Sequence, residues 1–225
     1  MIYIIFIVFA LISFAIQKSL QNRFEKYSKV PLPYGLTGKD IALRMLHENG
    51  ITNVTVTQID GTLTDHYNPA NHTINLSSAV YNSNSIAAAA VAAHETGHAL
   101  QHAQAYAPLR MRSALVPAVS FASSWMQWIL LIGILTVQSF PQILLIGIIL
   151  FGLTTLFSFV TLPVEINASR RALAWLNNAG ITTTETQPMA QDALRWAAYT
   201  YVVAALSSLA TLVYYIIIFL GGRRD

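Results

Sequence analysis

The 225-residue chain contains no cysteine. Disulfides and thiolate metal ligands are therefore excluded, and any metal must be held by histidine and carboxylate groups. Charge is scarce too: 10% of residues are Asp, Glu, Lys or Arg, against 54% apolar, and mean hydropathy is +0.50. That balance describes an integral membrane protein rather than a soluble globule. The formal net charge of +3 is dispersed, and no Lys/Arg tract is interleaved with aromatics. Nucleic acid is thus not an expected partner. No internal repeat or low-complexity tract is present.

What charge there is falls in a pattern. From Ser113 to Val164 there are 52 consecutive uncharged residues, about twice the length of one membrane span. Ser139-Phe140-Pro141-Gln142 interrupts this stretch, which predicts a hairpin of two helices, roughly 114–137 and 143–162, ended by Pro163. Ile2 to Ile16 is apolar and is followed by Lys18, Arg23, Lys26 and Lys29. No basic residue precedes it and no small-x-small cleavage site follows, so it reads as a retained span rather than a signal peptide. Trp196 to Gly222 forms a fourth span. Eleven of the thirteen Lys/Arg then lie on one side of the membrane and only Arg223 and Arg224 on the other, which makes the first side cytoplasmic.

Between the spans the patterns are those of a small globular portion. Thr37 is a cap for a helix from Lys39 to about Glu48, ended by Asn49-Gly50. Ile51 to Ile59 alternates branched and polar residues as a strand does, and 72–77 is a second short strand, with Asp65 to Pro69 a loop between them. The second strand could offer an edge to an extended peptide or simply pack in a small sheet. Tyr106-Ala107-Pro108 closes the next helix, and an amphipathic helix runs from Val164 to Asn178, capped by Gly180.

That next helix carries His94-Glu95-Thr96-Gly97-His98 within an alanine-rich run. Positions i and i+4 lie on one face of a helix, so the two histidines can present imidazole nitrogens to one cation. Glu95 can reach a water on that cation without being a ligand. Such a set supplies a Lewis acid, a polarised water and a base. Ionisable groups among alanines are otherwise costly. A catalytic zinc takes three protein ligands, and His102, His66, His72, Asp65, Glu165, Glu185 and Asp192 are candidates for the third. His102 shares the face of His98, but three ligands along one straight helix cannot surround a metal, so it is expected as an outer or surface histidine. Glu185 and Asp192 read as solvated charge. Glu165 is the first charge after the long apolar stretch, where an unneutralised carboxylate is costly. It is preferred as ligand over an ion pair with Arg170 or Arg171, with Ser169 on the same helical face to orient its carboxylate.

Several segments carry a resemblance: residues 61–69, which include Asp65 and Tyr67; Asn75-Leu76-Ser77; Ser85 through Gln101; Leu162 through Leu173; and Thr200-Tyr201-Val202. In this order they resemble the YugP-type family of zinc-dependent bacterial membrane peptidases. The resemblance implies one Zn2+ on His94, His98 and Glu165, with Glu95 as the base, and it marks Asn75 and Tyr201 as further candidates near substrate or ligands. The chain departs from the family pattern at Asn167, which usually carries Asp, so any supporting role there is open. The arrangement is also similar to HtpX-like membrane proteases, with a gluzincin-type core.

The expected fold class is thus a mainly α membrane protein of four transmembrane helices with a small α+β zincin-like portion. Its parts are a span at 1–17, the zincin-like region at 18–112, the hairpin at 113–162, the third-ligand region at 163–195 and the last span at 196–222. The expected function is a zinc metalloendopeptidase of the bacterial plasma membrane, active site facing the cytoplasm. It would hydrolyse protein or peptide substrates at the bilayer surface. An oxyanion stabiliser is not identified; Tyr67, His66, Tyr199 and Tyr201 are the candidates. The alternatives are a non-catalytic membrane protein with a structural or regulatory zinc site, in which His102 or Asp65 would be a fourth ligand, and a transporter, against which the uncharged spans argue.

Overall fold

A computed structural model describes residues 2–221. In chain order the elements are α1 (Ile2–Ser28), α2 (Gly38–Glu48), β1 (Thr55–Ile59), β2 (His66–Asn68), β3 (Thr73–Ser77), α3 (Ser78–Tyr81), α4 (Ile86–Ala103), α5 (Ala107–Leu135), α6 (Pro141–Asn178) and α7 (Gln187–Gly221). This is a mainly α protein with a small sheet, and α1, α5, α6 and α7 are long and apolar enough to cross a membrane. Met1, the last residue assigned to the fourth span (Gly222) and the Arg223–Arg224 pair used for orientation lie outside the described residues. The chain divides into two units. One comprises Met1–Ala15, Arg110–Leu162 and Thr200–Asp225; the other comprises Ile16–Leu109 and Pro163–Tyr199.

In the first unit the hairpin helices meet at glycines. A Cβ on Gly133 would lie 2.6 Å from Leu144 Cα, and one on Gly147 would lie 2.7 Å from Leu130 Cδ2. Small residues let backbones approach where lipid is as apolar as leucine and burial drives nothing. Leu130, Leu144 and Ile148 form the buried cluster there, and Thr155 and Ser208 join α6 to α7 by a 2.7 Å hydroxyl pair.

The second unit is a small α+β body. The Thr37 side chain caps α2 and exchanges hydrogen bonds with Asp40, satisfying donors that the first helical turn leaves open. Burial with these hydrogen bonds leaves the Asp40 carboxyl below its usual range, the Thr37 bonds outweighing the burial. The sheet order is β1-β3-β2, with β3 parallel to β1 and antiparallel to β2. Ile74 and Leu76 of β3 are fully buried and face α2 residues Ile41 and Met45 in one core with the α4 alanines, Leu176 and Ile181. Ser85 accepts the Ala88 N–H to start α4, which is buried on nearly all sides. Asp192 is not a solvated charge: Arg23 Nε at 2.7 Å and the Tyr27 hydroxyl at 2.8 Å both donate to it. Glu185 is exposed as expected.

Besides Asp192, four expectations are corrected. Pro163 does not end a helix; α6 runs through it as one 38-residue helix. Its ring removes one backbone bond, whereas leaving the helix in apolar surroundings would orphan several. Pro108 opens α5 instead of closing α4, because the first turn of a helix has no use for the missing N–H. The segment around Tyr67 is a strand, too short for alternation to show. Finally, β3 is the central strand, so it has no free edge to offer a peptide.

Candidate metal centre

His94 and His98 stand one above the other on α4, their rings 4.8 Å apart and nearly perpendicular. Glu165, on the part of α6 within the same unit, is 3% exposed, and its Oε2 lies 3.3 Å from His94 Nε2 and 3.5 Å from His98 Nε2. Charge-assisted N–H···O bonds run shorter, at about 2.7–2.9 Å. Two ligand atoms that share a tetrahedral zinc, each about 2.0–2.1 Å from it, stand ~3.3 Å apart. The three ligand atoms all lie within 4.8 Å of one another, a grouping that could hold a metal ion.

The surroundings orient this set. Gln101 Nε2 donates to the Val164 carbonyl at 2.8 Å and to Asn167 Oδ1 at 3.0 Å. Asn167 Oδ1 is in turn held as an acceptor by Arg171 Nε at 2.7 Å. With both amide hydrogens spent on acceptors, Gln101 Oε1 faces His98 Nδ1 at 3.1 Å and calls for an N–H there. The lone pair of His98 is thereby placed on Nε2, opposite the Glu165 carboxylate. Two acceptors face each other in a buried space, and only a cation or a proton reconciles them. Without metal the proton fills this role. Burial pulls the His98 pKa down, but the Glu165 and Glu95 carboxylates and the Gln101 contact outweigh it, and the net shift is upward. The donor set, two imidazoles and a carboxylate with no sulfur, suits zinc.

Gly97 lets this geometry exist. A Cβ there would stand 2.8 Å from the Ala168 carbonyl oxygen and 3.2 Å from Ala168 Cα, so α4 and α6 touch backbone to backbone beside the candidate ligands.

Glu95 is 8% exposed and lies on another flank of α4, where its Oε2 accepts the Tyr67 backbone N–H at 3.0 Å. Asp65 sits near it; burial raises the Asp65 pKa and the Glu95 charge adds to that, against two Ser77 hydrogen bonds. Ser169 is beside a candidate ligand, but its partner is His94 Nδ1 at 3.1 Å, not the Glu165 carboxylate. His102 is exposed and bonds the Tyr67 hydroxyl at 2.9 Å. Asn75 ties Thr57, Thr73 and His66 across the sheet. Tyr199 is exposed with its ring on Trp196, and Tyr201 belongs to the other unit. Neither His102 nor Asp65 joins the three-residue grouping among the described residues.

Sequence reasoning missed Gln101 and the Tyr67 N–H. The first left a signal, a polar side chain three residues after His98 in an apolar helix. The second left none, since it is a main-chain group whose role depends on how β2 lies against α4.

A family model described as "Putative neutral zinc metallopeptidase" matches residues 2–220. The chain is 42% identical over 226 residues, covering 100% of both sequences, to the "Putative membrane protease YugP" of Bacillus subtilis (strain 168). No solved structure matches.

Proposed function

Because the chain belongs to the family described as "Putative neutral zinc metallopeptidase", we propose that it is a zinc-dependent endopeptidase of gluzincin type, cleaving protein or peptide substrates at the membrane surface. His94, His98 and Glu165 would hold one zinc ion. The observation that carries this reading is the convergence of two imidazole Nε2 atoms and a buried carboxylate oxygen, with the Gln101 amide turning the His98 lone pair inward.

When bound, zinc supplies a Lewis acid that polarises a water molecule and the scissile carbonyl. Glu95 is the base. The Tyr67 N–H holds its Oε2, which fixes the carboxylate and leaves Oε1 to receive the proton from the water and return it to the leaving amine. Ser169 and Gln101 hold the two imidazoles at Nδ1, so neither ring has to reorganise during turnover. A bacterial cell membrane is the location that the Bacillus subtilis relative supports, and the Lys/Arg distribution supports the motif on its cytoplasmic face.

Glu95→Gln tests the assignment. The variant should keep one zinc per chain and lose about 10²–10⁴-fold in cleavage rate of an unfolded protein substrate, while Glu165→Ala should lose zinc and activity together. Wild-type cleavage by the Glu95→Gln protein would sink the mechanism.

A further inference from the structure

His94, His98 and His102 are spaced by four along α4 and share one face of the helix. Each has a side-chain oxygen at Nδ1: Ser169 Oγ at 3.1 Å on His94, Gln101 Oε1 at 3.1 Å on His98 and the Tyr67 hydroxyl at 2.9 Å on His102. An oxygen in that place can accept the Nδ1 hydrogen and leave the lone pair on Nε2, as the outer partners of metal-bound histidines do. On the first two rings that lone pair faces Glu165. His102 lies outside this grouping, yet it is held in the same way.

A second imidazole stands beside it. The His72 ring lies 5.3 Å from the His102 ring and is tilted 44° to it; the His94 and His98 rings are 4.8 Å apart. The His72 ring makes no hydrogen bond among the described residues, so either tautomer leaves it a lone pair for a ligand. Its backbone is pinned. His72 ends the β2–β3 turn at φ +54°, a left-handed conformation uncommon outside glycine. Its carbonyl accepts the Thr55 N–H of β1 at 3.0 Å, and Asn68 Oδ1 accepts the Ala70 N–H at 2.9 Å within the turn. His102 is on the last turn of α4. Both rings thus come from fixed main chain, and little freedom is lost when an ion joins them.

Donor chemistry selects the ligand. Two imidazoles suit a divalent transition ion such as zinc, copper or nickel, whereas magnesium and calcium take oxygen ligands. His102 is exposed and His72 half-buried, so water can complete the coordination. A closed structural site fills four positions from the protein; two protein ligands make a weaker, exchangeable one. We propose that His72 and His102, with the Tyr67 hydroxyl behind His102, form a second transition-metal site that fills when the ion is in excess. The ion clips the β2–β3 turn to the end of α4. Tyr67 connects the two sites, since its hydroxyl backs His102 and its N–H holds Glu95.

The test reads binding alone, so it stands or falls separately from the peptidase reading. Untagged full-length protein in detergent, holding one zinc per chain, is titrated with further Zn2+ against a weak fluorescent zinc indicator. A second equivalent should bind. His72→Ala and His102→Ala should each weaken it at least ~10-fold, and Tyr67→Phe, which keeps both rings, should weaken it ~10–100-fold. The first equivalent should stay in all three, and His47→Ala, on the exposed end of α2, should change neither. Histidine modification by diethyl pyrocarbonate needs no variant. In the unsubstituted protein the second equivalent should protect His72 and His102 and leave His47 reactive. Uptake of one equivalent only, a second equivalent that survives either alanine, or zinc that leaves His72 and His102 as reactive as before overturns the proposal.

Discussion

Gly97→Ala is the most searching perturbation, because it adds one methyl group and changes no ligand. The new Cβ would begin 2.8 Å from the Ala168 carbonyl oxygen and 3.2 Å from its Cα. Ordinary contact starts near 3.4 Å, so the two backbones must part by about 0.6 Å in a region packed as densely as a crystal. Neither neighbour is a flexible side-chain end that could swing aside. Glu165 lies one turn before Ala168 on α6 and travels with it. Bond lengths at a zinc site tolerate about ±0.2 Å, so the shift moves the carboxylate beyond reach of a metal still seated on the histidines. Overpacking costs about 1–3 kcal/mol, offset by up to about 1 kcal/mol from replacing a mid-helix glycine with alanine. Global stability should therefore fall only modestly. Zinc affinity should fall at least ~10-fold, about 1.4 kcal/mol, with activity falling at limiting zinc. Competition with a chromophoric chelator in detergent measures the first and thermal melting the second. Gly152→Ala, whose Cβ meets nothing within 4 Å, is the matched control and should be silent. If Gly97→Ala binds zinc as tightly as wild type, the claim that backbone contact sets the ligand geometry is wrong.

Other outcomes follow from the same site. Gln101→Leu removes the group that selects the His98 tautomer and should weaken zinc binding ~10–100-fold, read by the same competition assay; Ser169→Ala should act in the same direction through His94. Proton and zinc compete for the His98 lone pair, and the upward shift from the usual 6.5 means that apparent zinc affinity falls as pH drops through the raised value. In the zinc-free protein the sign reverses: stability from the protonated His98 is complete below about 6.5 and is lost as pH rises through the raised pKa, leaving a lower melting temperature on the alkaline side. A melting curve of zinc-free protein that is flat with pH would count against the convergence of acceptors. Gly133→Ala, with its Cβ 2.6 Å from Leu144 Cα, should loosen the α5–α6 hairpin and lower thermal stability without altering zinc stoichiometry.

Four apolar stretches, the helical spacing of His94 and His98, the Thr37 cap and the anomaly of Glu165 beside a long uncharged run were legible because each depends on local chemistry or on periodicity along the chain. Propensity at proline misled twice. At Pro163 and Pro108 the surroundings outweigh the local rule, since a helix without water cannot afford an early end and a first turn loses nothing to proline.

What the sequence by itself determined is which groups are candidates to hold a cation and that they flank long apolar stretches. Helix period, absence of cysteine and the cost of charge in apolar surroundings suffice for that. What only the tertiary structure decided is which atoms face which. Gln101 spends both amide hydrogens on α6 and so turns His98 Nε2 toward Glu165. Ser169 serves His94 instead of the carboxylate, Tyr67 lends Glu95 a main-chain N–H, and Gly97 lets α4 meet the Ala168 backbone. These pairings join residues up to 75 positions apart. They depend on how far one helix sits from another, a distance that no local pattern in the chain encodes.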